Sequence, residues 1–243
     1  MRILKSLAFV FVYLLIFYNA HHFVPDSTWL EINSDIYPII VYAVILLWIF
    51  LLTGKQNFNI GKGFYINRFY SINIAALILV TAGLWFISFA VTHTPYLSRY
   101  MREYEQAVSG IFDGNISLAL ITVCVIAPAF EEIMFRGIIL GEMTPVIPFH
   151  IANIIQALLF AFVHGNIVQG IYTFIVGLCL GLSYRRSGNI YMPIAIHILF
   201  NTANALIYRF NVSFPYSDIF FAVLAILLIW SGLYIMRGGR KRA

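Results

Sequence analysis

Apolar residues run through this chain in long, nearly unbroken blocks separated by short polar joints. Eight blocks stand out: Leu4–Phe23, Ile36–Leu52, Ser71–Val91, Ile116–Leu140, His150–His164, Ile167–Tyr184, Ile190–Ile207 and Ser217–Met236. A bilayer crossing needs about 17–25 predominantly apolar residues in a helix, so each block predicts a spanning helix, with the fifth the shortest. No alternating in–out pattern suggests a barrel, and a bilayer requires backbone groups that are paired within the segment. The expected fold is therefore all-α: a polytopic membrane protein of about eight transmembrane helices, forming one domain over residues 1–243.

Composition agrees with this pattern. Across 243 residues the chain is 61% hydrophobic and only 10% charged, where an ordinary soluble domain carries about 25% charged residues. The net charge of +5 does not point to nucleic acid, because the basic residues are scattered through joints and ends. Their placement instead orients the helices. Arg2 and Lys5, then Lys55, Lys62 and Arg68, then Arg185 and Arg186, then Arg237, Arg240, Lys241 and Arg242 all fall on one side of the eight-span arrangement. By the positive-inside rule both termini are expected in the cytoplasm. The N-terminal block lacks a small-x-small cleavage pattern and is expected to remain as the first span. Tyr96–Ile111 reads equally as an interfacial helix or a solvated joint. Cys124 and Cys179 lie inside apolar blocks and suggest packing rather than disulfides or a nucleophile. Gly177 and Gly181 form a Gly-x-x-x-Gly that lets another helix of the same chain approach closely.

The candidate chemistry lies where the apolar pattern breaks. Ala127-Pro-Ala-Phe-Glu131-Glu132-Ile-Met-Phe-Arg136-Gly sets three ionisable groups in the fourth block. Each costs roughly 2.5–3.5 kcal/mol at a bilayer centre, so such groups face protein or water and serve function. Successive helical residues point about 100° apart, so Glu131 and Glu132 lie on different faces. Glu132 precedes Arg136 by four, the favourable order for a carboxylate–cation pair. This assigns Glu132 and Arg136 an orienting role and leaves Glu131 as the reactive carboxylate, suited to proton transfer. Pro128, one turn earlier, removes a backbone donor and loosens the helix there. His164 ends the fifth block, while His197 and Asn201 share one face of the seventh. Singly, each polar residue reads as a helix–helix hydrogen bond; together they supply a base, a water-orienting partner and oxyanion donors.

At 1.5 Å per residue, Glu131 and His197 lie about 13 Å and about 11 Å from the cytoplasmic ends of their spans, but His164 lies about 21 Å in. A level match requires the fifth span to start outside the membrane, to tilt, or to end in a dipping turn at Gly165-Asn166.

Glu-Glu-x-x-x-Arg at Glu131, Glu132 and Arg136, Phe-x-x-x-His at Phe160 and His164, and His-x-x-x-Asn at His197 and Asn201 occur in this order on separate apolar helices. In this the chain resembles the CAAX-protease and bacteriocin-processing family of intramembrane endopeptidases, related to the Ras-converting CAAX endopeptidase. The resemblance covers about residues 116–204, the catalytic half. It implies hydrolysis of a peptide bond in a membrane-associated polypeptide. Glu131 would activate water with His164, while His197 and Asn201 would stabilise the oxyanion. No cofactor is expected, with a zinc site of Glu131, His164 and His197 as the alternative; no His-Glu-x-x-His signature is present. The expected partners are a polypeptide substrate and the lipid bilayer, not nucleic acid, and the expected location is a bacterial plasma membrane. The rival readings are an inactive immunity or scaffold protein and a proton-coupled transporter. The latter is disfavoured by the lack of internal symmetry.

Overall fold

The computed structural model describes residues 39–44, 47, 73–110, 115–210 and 218–237. Helices account for the regular structure of these residues, and no strand occurs among them. After a helical stretch at residues 39–44 the helices are α1 (Ile74–His93), α2 (Met101–Gly110), α3 (Ile116–Met143), α4 (Phe149–Phe162), α5 (Ile167–Ser187), α6 (Tyr191–Phe210) and α7 (Asp218–Arg237). The first expected span, most of the second, the basic joint between spans two and three and both termini lie outside the described residues.

Among the described residues, four helices are long and apolar enough to cross a membrane: α1, α3, α5 and most of α7. Two of the expected spans fall short of that measure for different reasons. Helix α4 has 14 residues, about 21 Å at the standard rise. Helix α6 has 20 residues but interrupts its apolar run with His197, Asn201 and Asn204. These are the residues that make it chemically interesting.

Local sequence sets the helix boundaries. Asn115 caps α3 by accepting from the Ser117 and Leu118 N–H groups at 3.1 and 3.2 Å. Asn166 starts α5 by accepting from Gln169 N–H at 2.8 Å, and its own amide donates to the Gln169 side chain at 2.9 Å. This reciprocal arrangement resembles a capping box. Gly165 (φ 75°) turns the chain between α4 and α5, and Gly188 (φ 70°) ends α5. Both occupy the left-handed region where a Cβ is disfavoured.

Small residues govern how closely helices approach. Helices α1 and α7 pack along their length, and a Cβ on Gly83 would come within 2.6 Å of the Ile229 side chain. The Gly177 and Gly181 stripe works within the chain, as expected. A Cβ on Gly177 would sit 3.0 Å from that of Ala157 on α4. The central core gathers Met134, Phe135 and Ile139 of α3, Phe160 of α4, Leu180 of α5 and Ile196 of α6. Ile151, Ile154, Leu158 and Phe162 of α4 face outward, as do Ile226, Leu227 and Trp230 of α7. In an integral membrane protein that apolar surface is what lipid covers.

The stretch between the third and fourth expected spans is a helix rather than an irregular joint. A 3₁₀ turn at Pro95–Tyr100 leads into α2. Tyr104 of α2 sets its ring edge-on to Tyr172 of α5, with centroids 6.5 Å apart.

Candidate active site

Helix α3 is not uniformly α-helical. It widens into π-helix at Thr122–Ile126 and again at Ile133–Ile139, on either side of the glutamates. Pro128 explains part of the first widening. The Ala127 N–H bonds back to the Thr122 carbonyl, and residue 128, next in that five-residue register, has no N–H to give the Val123 carbonyl. A side chain fills the gap: Asn201 Nδ2 donates to Val123 O at 2.9 Å. π-Turns inside helices recur at functional sites. Here they flank the two glutamates, and the second one contains Arg136.

Glu132 and Arg136 pair at 2.7 Å between Oε1 and Nη1, and both side chains are 0% exposed. The second guanidinium nitrogen donates to the Gly177 carbonyl of α5 at 3.1 Å, and the guanidinium carbon stands 4.8 Å from the centre of the Phe160 ring. Glu132 Oε1 is shared, since His197 Nδ1 also lies 2.8 Å from it. A carboxylate oxygen accepts, so His197 Nδ1 donates. That fixes the ring, turning its other nitrogen toward Glu131: Nε2 to Glu131 Oε2 is 3.7 Å. Glu131 is the less enclosed carboxylate, with 15% of its side chain exposed.

The local pairing by sequence spacing therefore holds, but it is incomplete. Spacing along one helix shows Arg136 as Glu132's partner and no partner for Glu131. Across the bundle, one imidazole bridges the two carboxylates. With Nδ1–H committed to Glu132, an Nε2–H as well would make His197 an imidazolium. Two carboxylates would then face two cations, which lowers the cost of burying the group.

His164 enters through Phe160. Helix α4 ends at Phe162, and His164 stands in the turn that follows, with Nδ1 2.7 Å from the Phe160 carbonyl. Helix α4 is short and ends in a turn at Gly165. The Phe160 ring is fully buried and meets three site residues. It is edge-on to His164 at 4.8 Å and to His197 at 5.7 Å, and lies beneath Arg136.

Asn201 lies one turn beyond His197 on the same face of α6. One amide hydrogen goes to Val123 O, leaving one for any other acceptor. Cys124 and Cys179 are free and buried, in keeping with a packing role.

Among the described residues, no three His, Cys, Asp or Glu side chains converge closely enough to hold a metal ion. His197 directs Nδ1 to Glu132 and His164 directs Nδ1 to a backbone carbonyl, which leaves Nε2 of each ring, the arrangement a metal-ligating histidine commonly shows. Convergence, not the rings themselves, is what the zinc alternative lacks among the described residues.

Two residues joined to this network were absent from the sequence reading. Gln156 is fully buried and Asn153 almost so, and both amides point from α4 at the backbone of α5. A signal was present: Gln156 stands four and eight residues before Phe160 and His164, in register with them along the fifth apolar block.

Comparison with known proteins places the same region. Residues 113–203 match the family model described as Rce1-like, type II CAAX prenyl endopeptidase Rce1-like. This bears out the resemblance carried by the three motifs. YdiL of Bacillus subtilis, whose name describes a membrane peptidase, is 29% identical over 100 residues, 41% of each chain. The membrane-embedded CAAX protease MroQ of Staphylococcus aureus is 30% identical over 97 residues, 37% of this chain and 39% of that protein. An uncharacterized 24.3 kDa protein of Escherichia coli is 25% identical over 140 residues, 55% of this chain and 61% of its own. The chain thus spans less than two thirds of the length of each of these relatives. No solved structure matches it. The bacterial membrane relatives and the apolar helices agree with an integral membrane protein of bacterial type.

Proposed function

We propose that this chain is an intramembrane endopeptidase that hydrolyses a peptide bond of a membrane-associated polypeptide, with Glu131 as the general base. The observation that carries the reading is the inequality of the two carboxylates. Glu132 is enclosed and engaged by Arg136 and His197, whereas Glu131 is partly open and meets the far nitrogen of that imidazole at 3.7 Å. A base must reach a water, and Glu131 is the carboxylate placed to do so.

In this reading Glu131 takes a proton from a water that His164 helps to orient. The hydroxide attacks the scissile carbonyl, and the resulting oxyanion is met by His197 Nε2–H and the remaining amide hydrogen of Asn201. Glu131 then returns its proton to the departing amine. Arg136 and Glu132 do no proton transfer. They hold His197 with Nδ1 donated inward, so that Nε2 is aimed at the developing oxyanion. The step runs without a metal, in keeping with the poor convergence of donors.

The test is cleavage of internally quenched peptides by protein purified in nanodiscs, using a farnesylated CAAX peptide and its unprenylated counterpart. Glu131→Gln and His164→Ala are each expected to lower cleavage by about 10²–10⁴-fold, the usual scale for a lost general base or its partner. Wild-type rates in either variant would refute the reading. An inactive scaffold would show no cleavage in any form of the chain.

A further inference from the structure

Arg136 is not held by α3 alone, and its other anchor is unusual. The Gly177 carbonyl that accepts Arg136 Nη2 at 3.1 Å also accepts Gln156 Nε2 at 2.9 Å. Gln156 is itself held, since Nε2 lies 2.9 Å from Asn153 Oδ1 and 3.1 Å from Asn153 O. Asn153 Nδ2 in turn donates to the next carbonyl of α5, Leu178 O, at 3.1 Å. Two buried amides on α4 therefore grip two successive carbonyls in the middle of α5, and the guanidinium docks on one of them.

Such a grip needs a bare helix flank. A Cβ at Gly181 would run into the Asn153 Oδ1, and one at Gly177 would press on Ala157. The Gly-x-x-x-Gly of α5 thus does more than allow close packing. It exposes backbone oxygens to side chains from α3 and α4.

We propose that Gln156, backed by Asn153, is a positioning residue of this site, acting through the Gly177 carbonyl on Arg136 and through Arg136 and Glu132 on His197. The line of contacts is continuous: Gln156 to Gly177 O, Gly177 O to Arg136, Arg136 to Glu132, Glu132 to His197 Nδ1. Gln156 touches none of the reacting groups in this sequence of contacts. Its effect is to fix where the guanidinium sits, and so which way the shared Glu132 oxygen points.

The experiment uses full-length protein in nanodiscs, labelled with ¹⁵N-histidine, with Gln156→Met as the variant of similar size that loses the amide. The expected result is a displaced His197 Nδ1 resonance, reporting a changed hydrogen bond to Glu132. Alongside it, kcat on the quenched farnesylated CAAX peptide is expected to fall about tenfold or more with KM unchanged, because small misplacements of catalytic groups are costly. Ser88→Ala, which removes a part-buried α1–α6 contact to Asn204 at 3.2 Å, serves as the control and leaves both readouts as in wild type. An unshifted His197 resonance in Gln156→Met overturns the proposal, whatever the rate. If Gln156→Met does not fold, Gln156→Leu, which likewise removes the amide and adds no charge or donor, is read in the same way. The activity arm rests on the endopeptidase reading. If wild type cleaves neither peptide, that reading fails while the histidine resonance still decides this one.

Discussion

Removing Arg136 alone is expected to be among the most damaging single changes in this chain, and more damaging than removing Arg136 and Glu132 together. The guanidinium and its carboxylate are both fully enclosed at 2.7 Å, so solvent cannot stand in for the lost partner. Arg136→Met leaves the Glu132 carboxylate with His197 as its remaining partner among the described residues, and deprives Gly177 O of a donor. Breaking a buried pair from one side costs about 3–5 kcal/mol, whereas replacing both members with apolar groups of similar size is often near neutral. The variant's unfolding equilibrium should therefore shift by roughly 10²–10³·⁵, at about 1.4 kcal/mol per tenfold. Glu132→Met/Arg136→Met should recover most of that loss while remaining inactive. The assay is reversible unfolding in bicelles, comparing wild type, both single variants and the double as a thermodynamic cycle. An Arg136→Met variant within about 1 kcal/mol of wild type would refute the reasoning, since an exposed pair contributes no more than that. So would a double variant as unstable as the sum of the singles.

Two further outcomes follow from the geometry. Asn201→Leu should destabilise the fold by about 1–3 kcal/mol by leaving the Val123 carbonyl without its donor. Adding Pro128→Ala should reduce that loss, because residue 128 then has an N–H to offer; equal losses in the two backgrounds, measured by the same unfolding assay, would sink the account of the π-turn. Metal chelation should leave cleavage of the quenched peptides unchanged, since the donors do not converge on an ion site; loss of activity with 1,10-phenanthroline, restored by zinc, would favour the zinc alternative.

The sequence by itself determined that the chain is helical and membrane-embedded, because long apolar blocks have few other ways to satisfy their backbone in a bilayer. It also exposed the Glu132–Arg136 pair, since residues four apart on one helix are neighbours whatever surrounds them. The same local rule marked His197 and Asn201 as sharing a face. What lay beyond it were contacts between helices, which depend on rotation and depth that spacing does not encode. Only the tertiary structure brought His197 between the two glutamates, spent one Asn201 hydrogen on a carbonyl freed by Pro128, and moved His164 from a helix into a turn. Gln156 illustrates the difference best. Its register with Phe160 and His164 was readable, but its partner is a backbone oxygen of Gly177. A glycine carbonyl becomes a docking point only when helix packing brings two donors to it.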